Sequence, residues 1–411
     1  MKRAICIILS ERIRYFLFAL IVMITLGLYG RNLDSYEYYH MDEGYWIETA
    51  KWTFKTYVLD RNFSAKQWLS WDLRSFGRTN PNAGKLMIGG VLYLRGYQEF
   101  KGLPNWDMSK SQQWNIEQGN AAQQGELYTA RSFVVFITAL TAGILFLALS
   151  FSMSGTEGIL GGIITVVVFL SHKLVSELGR QVMLDMPAVF FGTAAIVSAW
   201  MVTRESLNSY IRWGAFGLIT GLLSGFAVST KLNAGVIPLV VMVIGIYLIL
   251  STKGDRGALL FFMLVIVLSV GVFLLLNPQL WPDIVGGIKT MIDFGRSIAE
   301  RRSMFPGAAL WTVTDRFVAF YKRVPERPLD FLLFVFGVII LAKNWRTMWP
   351  FLLWGGVEIF AVIWWTPLNW NRYYLPAVPF HAFSVGYVLG YLADKISGTN
   401  LGKKGKTESP A

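Results

Sequence analysis

Residues 257–276 read GALLFFMLVIVLSVGVFLLL, twenty consecutive positions with one hydroxyl and no charge. A helix of that length rises about 30 Å, the thickness of the hydrocarbon core of a bilayer. In such a medium the backbone has to satisfy its own hydrogen bonds, so the stretch predicts a membrane-spanning α-helix. Working outward, similar windows predict spans at 14–30, 131–152, 157–172, 184–203, 213–230, 234–251, 329–342, 348–365 and 373–393. The fold class is therefore all-α, a polytopic integral membrane protein of about ten helices. The 329–342 window is short, which gives the count a range of about nine to eleven.

The composition agrees. Of 411 residues, 54% are apolar and 16% charged, where soluble domains average about 45–50% and about 25%. This excludes a soluble globular enzyme and a disordered linker. Cys6 is the single cysteine, which excludes an intrachain disulfide framework or a CxxC metal or redox site. The formal net charge is +12, but it is spread thinly along the chain, with a short basic run only at Lys403, Lys404 and Lys406. A phosphate footprint needs clustering, so a nucleic-acid partner is not expected.

Lys2, Arg3 and Arg12 precede the first span, Arg14 opens it, and no small-x-small cleavage site follows it, so it reads as an uncleaved anchor. With that basic end in the cytoplasm, alternation puts Arg204, Arg212, Lys253, Arg256, Lys343, Arg346 and the tail 394–411 on the same side, as the positive-inside rule expects. Both termini are then cytoplasmic, in a protein of the plasma membrane. Two long segments remain outside, 31–130 and 277–328, around a single transmembrane domain covering 1–393. In the first, 44–58 sets Tyr45, Trp46, Thr49, Trp52 and Val58 near one stripe and Glu48, Lys51 and Lys55 on another, the pattern of an interfacial helix lying on the bilayer. A second apolar stretch, 84–97, is too short to span easily, and 98–126 reads as an exposed polar loop. Trp46, Trp52, Trp68, Trp71, Trp106, Trp114, Trp281 and Trp311 read as an interfacial aromatic belt before they read as sugar-stacking rings.

Ionisable residues at or near membrane depth are costly and mark function by default. The cluster His40-Met41-Asp42-Glu43 stands directly before the 44–58 helix. Its two carboxylates suit either capping of that helix or chemistry, and local sequence weighs the two evenly. Glu358 lies inside the ninth span and reads as structural, either protonated or hydrogen-bonded to a neighbouring helix. His40, His172 and His381 fit no metal-ligand spacing.

Six fragments in order resemble the protein O-mannosyltransferases and their bacterial relatives, the polyprenyl-phosphate-dependent glycosyltransferases of the GT-C superfamily, a group that includes the aminoarabinose transferases. They are Asp42-Glu43; Asn80-Pro81-Asn82-Ala83-Gly84-Lys85; Gly179-Arg180 through Asp185-Met186-Pro187; Thr230-Lys231-Leu232-Asn233; Asn277-Pro278-Gln279-Leu280-Trp281-Pro282-Asp283; and Arg372-Tyr373-Tyr374-Leu375-Pro376. Where the mannosyltransferases have His-Pro-Pro, this chain has Asn-Pro-Asn. The resemblance implies a GT-C fold and transfer of a hexose-like sugar from a polyprenyl phosphate to a protein, glycolipid or glycan hydroxyl. It implies that Asp42 is the base, with Glu43 supporting the acceptor or orienting Asp42.

The residues fit that chemistry on their own terms. All the motifs fall on the outer face in the assigned topology, so positions more than 300 residues apart can share one site. A base has to take the acceptor proton while cations stabilise the departing phosphate, and one base opposite the leaving group suits single displacement with inversion. Lys85, Arg180, Lys231 and Arg372 are the candidate cations, with Asp185 and Tyr373 beside them. Asn80, Pro81, Asn277, Pro278 and Asp283 are assigned structural roles. Side-chain cations suffice for a phosphate leaving group, so no cofactor and no metal ligand are assigned, and a divalent metal stays compatible with the same chemistry. Two rivals remain. A transporter or channel for lipid-linked or small solutes predicts mid-span charges and pseudo-repeats, where this chain has Glu358 alone and no repeat. A GT-C-fold binding subunit would keep the fold without catalysis.

Overall fold

The computed structural model describes residues 2–37, 39–68, 80–153, 155–204, 209–304, 309–366 and 368–404. Among them the only β-type pairing is one isolated bridge, Ala309 with Leu368, and helices make up the rest of the regular structure. Helix α1 covers Lys2–Tyr29, α2 Met41–Phe54, α3 Ala83–Leu94, α4 Gln124–Ser152, α5 Gly155–Ser171, α6 Asp185–Arg204 and α7 Tyr210–Thr230. They are followed by α8 Val236–Ser251, α9 Arg256–Leu276, α10 Ile284–Ser303, α11 Val313–Arg323, α12 Pro328–Lys343, α13 Trp345–Trp365 and α14 Val378–Lys404. Eight stretches are long and apolar enough to cross a membrane, which makes this an integral membrane protein. The other two expected spans, 157–172 and 329–342, fall on α5 and α12, helices of 17 and 16 residues. Residues 394–404 of the tail continue α14, and 405–411, Lys406 among them, lie outside the described residues.

Neighbouring helices pack in a continuous series: α1 on α4, α4 on α5 and α6, α6 on α7, α7 on α9, and α5 and α12 on α14. Lipid offers no hydrophobic drive between helices, so close approach through small residues has to supply it. A Cβ on Gly221 of α7 would stand 2.8 Å from the Leu264 carbonyl oxygen of α9, and one on Gly386 of α14 would meet Thr165 of α5 at 2.0 Å. Gly217, Gly221 and Gly225 meet Phe261, Leu264 and Val272 in rising order, so α7 and α9 run parallel along a glycine seam.

Two sequence expectations need correcting. Helix α2 does not keep its charges in water. Both its faces are covered, Trp46, Ile47 and Ala50 on one side and Glu48 and Lys51 on the other. The Lys51 ammonium, with no exposed side-chain surface, bridges Glu48 Oε1 at 2.6 Å and Glu126 Oε1 at 2.9 Å. Burial pushes the Glu48 carboxyl above its ordinary range. The reason is α4, which begins at Gln124, seven residues before the expected boundary, and carries Glu126 in its first turn. Nor are the tryptophans a uniform belt. Trp46, Trp52 and Trp68 are buried, Trp52 edge-on to Trp68 at 5.1 Å, while Trp281 and Trp311 are exposed. Trp71 lies outside the described residues. The 98–126 segment is largely exposed, as expected, and holds one short helix, Gln112–Glu117, tied down by the buried Asn115.

Candidate active site

Asp42 is the second residue of α2. The amides at that helix end are satisfied by others: His40 Nδ1 accepts the Asp42 N–H at 3.1 Å, and Glu43 Oε2 accepts the His40 N–H at 2.9 Å. Capping is thus discharged without the Asp42 carboxylate, which instead accepts from Arg372 Nη1 at 3.0 Å. Arg372 stands over the Trp370 ring at 4.6 Å and near the Tyr373 ring at 5.9 Å, and these two rings stack at 5.8 Å.

A second ion pair adjoins the first. Asp185, at the N-terminus of α6, accepts from Lys231 Nζ, which caps the C-terminus of α7. Lys231 Nζ lies 5.9 Å from the Tyr373 ring, and Arg372 feels the charge of both Asp42 and Asp185. Four charged groups from four parts of the chain thus converge with Tyr373 at one end of the bundle. Their side chains retain between 6% and 25% exposure, so the cluster is accessible from one side.

Glu43 is used differently. Its carboxylate is fully buried and bidentate with Arg131, at 2.8 and 2.7 Å, and also accepts the Val182 N–H at 2.8 Å. Arg131 Nη1 donates to the Leu33 and Ser35 carbonyl oxygens as well. The Glu43–Arg131 pair therefore fastens the start of α2 to α4 and to the segment leading into Asp185. Sequence reading missed Arg131. The spacing of Glu126, Leu127, Ala130, Arg131 and Val134 along one helical face was the available signal.

Lys85 sits at the start of α3, completely buried, with Nζ donating to the Asn80 carbonyl oxygen at 2.9 Å. Burial pushes its ammonium down to about 7. Its neighbour Gly84 packs against Leu184 and Thr230, the residues just before Asp185 and Lys231, so α3 abuts the cluster. The Asn-Pro motifs lock to each other. The Asn82 amide N–H donates to Asn277 Oδ1 at 3.1 Å, and Asn82 Nδ2 donates to the Leu276 carbonyl oxygen and to Gln279 Oε1. Pro278 opens the turn after Asn277. Pro81 is buried between Asn80 and Asn82.

One candidate cation, Arg180, stands apart, and Asp283 has a local structural role. Arg180 does not join Asp185. Its Nε and Nη2 donate to the Tyr29 and Arg31 carbonyl oxygens, holding the end of α1. Asp283 is exposed and caps α10 by accepting the Gly286 N–H at 2.9 Å. Glu358, expected to be protonated or bonded to a neighbouring helix, lines a small cavity together with Asp185 and Lys231. Among the described residues, no three His, Cys, Asp or Glu side chains are grouped to hold a metal ion.

This architecture defines a class. The crystal structure of ArnT from Cupriavidus metallidurans bound to undecaprenyl phosphate superposes with a TM-score of 0.53 at 16% identity, over 95% of this chain and 61% of that one. The oligosaccharyltransferase AglB from Archaeoglobus fulgidus, in complex with an inhibitory peptide and a dolichol-phosphate, gives 0.56 at 12% identity, over 97% of this chain and 53% of that one. The fold is that of the GT-C membrane glycosyltransferases, and the chain spans about three fifths of the length of ArnT. The sequence profile of the dolichyl-phosphate-mannose-protein mannosyltransferases matches residues 53–281, more than half of the chain, and the chain belongs to that family. The matched stretch includes Asn80 to Lys85, Asp185, Lys231 and Asn277, and stops short of Asp42 and Arg372. No curated protein matches the chain by sequence.

Proposed function

We propose that this protein transfers a hexose-like sugar from a polyprenyl phosphate to an acceptor hydroxyl on the extracytoplasmic face of the plasma membrane. The observation that carries the reading is the convergence of Asp42, Arg372, Asp185 and Lys231 at one end of a GT-C bundle.

In the resting cluster each cation is neutralised by a carboxylate. A phosphodiester donor competes for Arg372 and Lys231, whose donors suit phosphate oxygens, and so frees the Asp42 carboxylate. Asp42 then accepts the proton of the acceptor hydroxyl as that oxygen bonds to the anomeric carbon. The bond from the anomeric carbon to the phosphate oxygen breaks with its electron pair, leaving polyprenyl phosphate with one more negative charge. Arg372 and Lys231, with Lys85 and Tyr373 nearby, stabilise that charge as it develops. One displacement inverts the anomeric centre. The chemistry is complete with side-chain groups, and a protein, glycolipid or glycan hydroxyl serves equally as acceptor. The basic residues of the short connections favour cytoplasmic termini, and the active site then faces outside.

The test is to incubate purified protein with polyprenyl-phosphate mannose, glucose and galactose and a mixed pool of peptide and glycolipid acceptors. Mass spectrometry should find polyprenyl phosphate released together with a glycosylated acceptor. Solute movement into liposomes without such release would replace this reading with the transporter one.

A further inference from the structure

A cavity of 380 Å³ lies where the chain leaves α1, where α3 ends and where α4 begins, lined by Asp34, Arg95, Tyr97, Gln124, Tyr128 and Thr129, with Gly125. Pockets that hold small molecules measure about 300–1,000 Å³, so this one has room for a ligand. The Glu43–Arg131 pair ties the start of α2 to the early part of α4, which sets the cavity at the same end of the bundle as Asp42. None of its lining residues takes part in the ion pairs of the active-site cluster.

Local structure fixes the walls. Helix α3 ends in a Schellman turn: Gly96, at φ 86°, donates its N–H to the Tyr93 carbonyl oxygen at 3.0 Å, and the Tyr97 N–H donates to that of Leu92 at 3.0 Å. The turn presents Arg95 and Tyr97 to the cavity. A Cβ on Gly125 would collide with the Tyr97 hydroxyl, so Tyr97 packs directly on the start of α4. Asp34 is held from both sides, because Arg131 Nη1 takes the carbonyl oxygens of Leu33 and Ser35. The side chains of Asp34 and Arg95 line one cavity, yet among the described residues they make no ion pair and no hydrogen bond. Opposite charges kept apart on fixed walls call for a ligand that carries both.

Depth decides which ligand. Helix α4 has 29 residues and rises about 43 Å, against about 30 Å of hydrocarbon. Its residues 133–152 carry no charge and suffice to cross, whereas Glu126 and Arg131 lie in its first nine. Those nine residues therefore stand in the headgroup layer, with Tyr128 about 7.5 Å above Phe133. Exposed apolar surface leads down from there: Leu94, 88% exposed, adjoins Arg95, and Phe136, also exposed, follows Tyr128 by two turns on the same face of α4. We propose that the cavity binds the headgroup of phosphatidylethanolamine, with its phosphate on Arg95 and its ammonium on Asp34. The guanidinium suits phosphate oxygens, and the rings of Tyr97 and Tyr128 add cation–π attraction for the ammonium. The acyl chains then lie against Leu94 and Phe136. This lipid site does not depend on the transferase reading.

The experiment titrates the purified full chain, in detergent, with short-chain phosphatidylethanolamine and short-chain phosphatidylglycerol, and reads bound lipid by native mass spectrometry. The two lipids share the phosphate and the chains, and only the first has the ammonium. The wild type should bind phosphatidylethanolamine more tightly by about fivefold or more. Asp34→Asn should erase that preference while leaving phosphatidylglycerol binding no weaker. Arg95→Gln should weaken both lipids by about fivefold. Neither side chain has a partner to lose, so thermal denaturation of both variants should match the wild type. Equal binding of the two lipids by the wild type, a preference that survives Asp34→Asn, or binding of both lipids unchanged in Arg95→Gln would each overturn the proposal.

Discussion

The Glu43 carboxylate meets four N–H donors and no solvent, whereas that of Asp42, one residue earlier, meets a single guanidinium and keeps 14% of its side-chain surface exposed. The same contrast separates whole regions. Around α2 and α4, Glu43 with Arg131 and Lys51 with Glu48 and Glu126 form dry ion pairs that hold helices together. At the starts of α2 and α6, the end of α7 and the turn at Asn371–Tyr373, the two pairs of the cluster are partly open. A buried pair is costly to break because it strands a charge, while an open pair can exchange a partner for an incoming ion. The first kind builds the site and the second kind works in it.

That division can be broken from either side. The largest effect is expected for Asp42→Asn, which keeps an acceptor for Arg372 but removes the base. Turnover should fall by about 100-fold to 10,000-fold with thermal denaturation unchanged. Unaltered turnover would remove Asp42 from the chemistry and leave it a mere partner of Arg372. Next comes Arg131→Met, which strands Glu43 and should destabilise the fold by about 3–5 kcal/mol. Denaturation in nanodiscs reads this directly, and a wild-type midpoint would erase the distinction between dry and open pairs.

Lys85 sharpens the comparison as a buried cation between the two regions. Its folded pKa of about 7 lies below the unfolded value of 10.5, so the unfolded chain binds more protons between those pH values. Stability therefore rises with pH from about 7 to about 10.5. Lys85→Met should flatten that rise relative to the wild type in melting curves across this range. An identical slope in both proteins would mean the ammonium is charged in the folded state. The smallest effect belongs to Asp283→Ala, which loses a helix cap on an exposed helix. It should cost about 1 kcal/mol in denaturation and leave transfer rates alone.

Much of this was legible in the chain, for identifiable reasons. Runs such as 257–276 declare themselves because hydropathy is a property of the segment itself, and the ordered motifs pointed to one family. The pairing of Asp185 with Lys231 was not legible, since it depends on how α6 meets α7. The surroundings of Arg180 were hidden for the same cause: its sequence position near Asp185 says nothing of the carbonyl oxygens of Tyr29 and Arg31 to which it donates. Glu126 and Arg131 were overlooked because Gln123, Gln124 and Gly125 disguise the start of α4 as loop. The division of labour between Asp42 and Glu43 needed coordinates, because either carboxylate could have capped the helix.

The glycine seam between α7 and α9 sets a ruler for the chemistry. Lys231 follows the last residue of α7 and Asn277 follows the last residue of α9, so the two motifs ride on parallel rails whose register is notched by Gly217, Gly221 and Gly225. A slip of one helical turn would shift one rail by about 5.4 Å against the other, enough to part Lys231 from Asp185 or Asn277 from Asn82. The tolerance of the reacting end is therefore fixed in the middle of the membrane, by residues that carry no functional group.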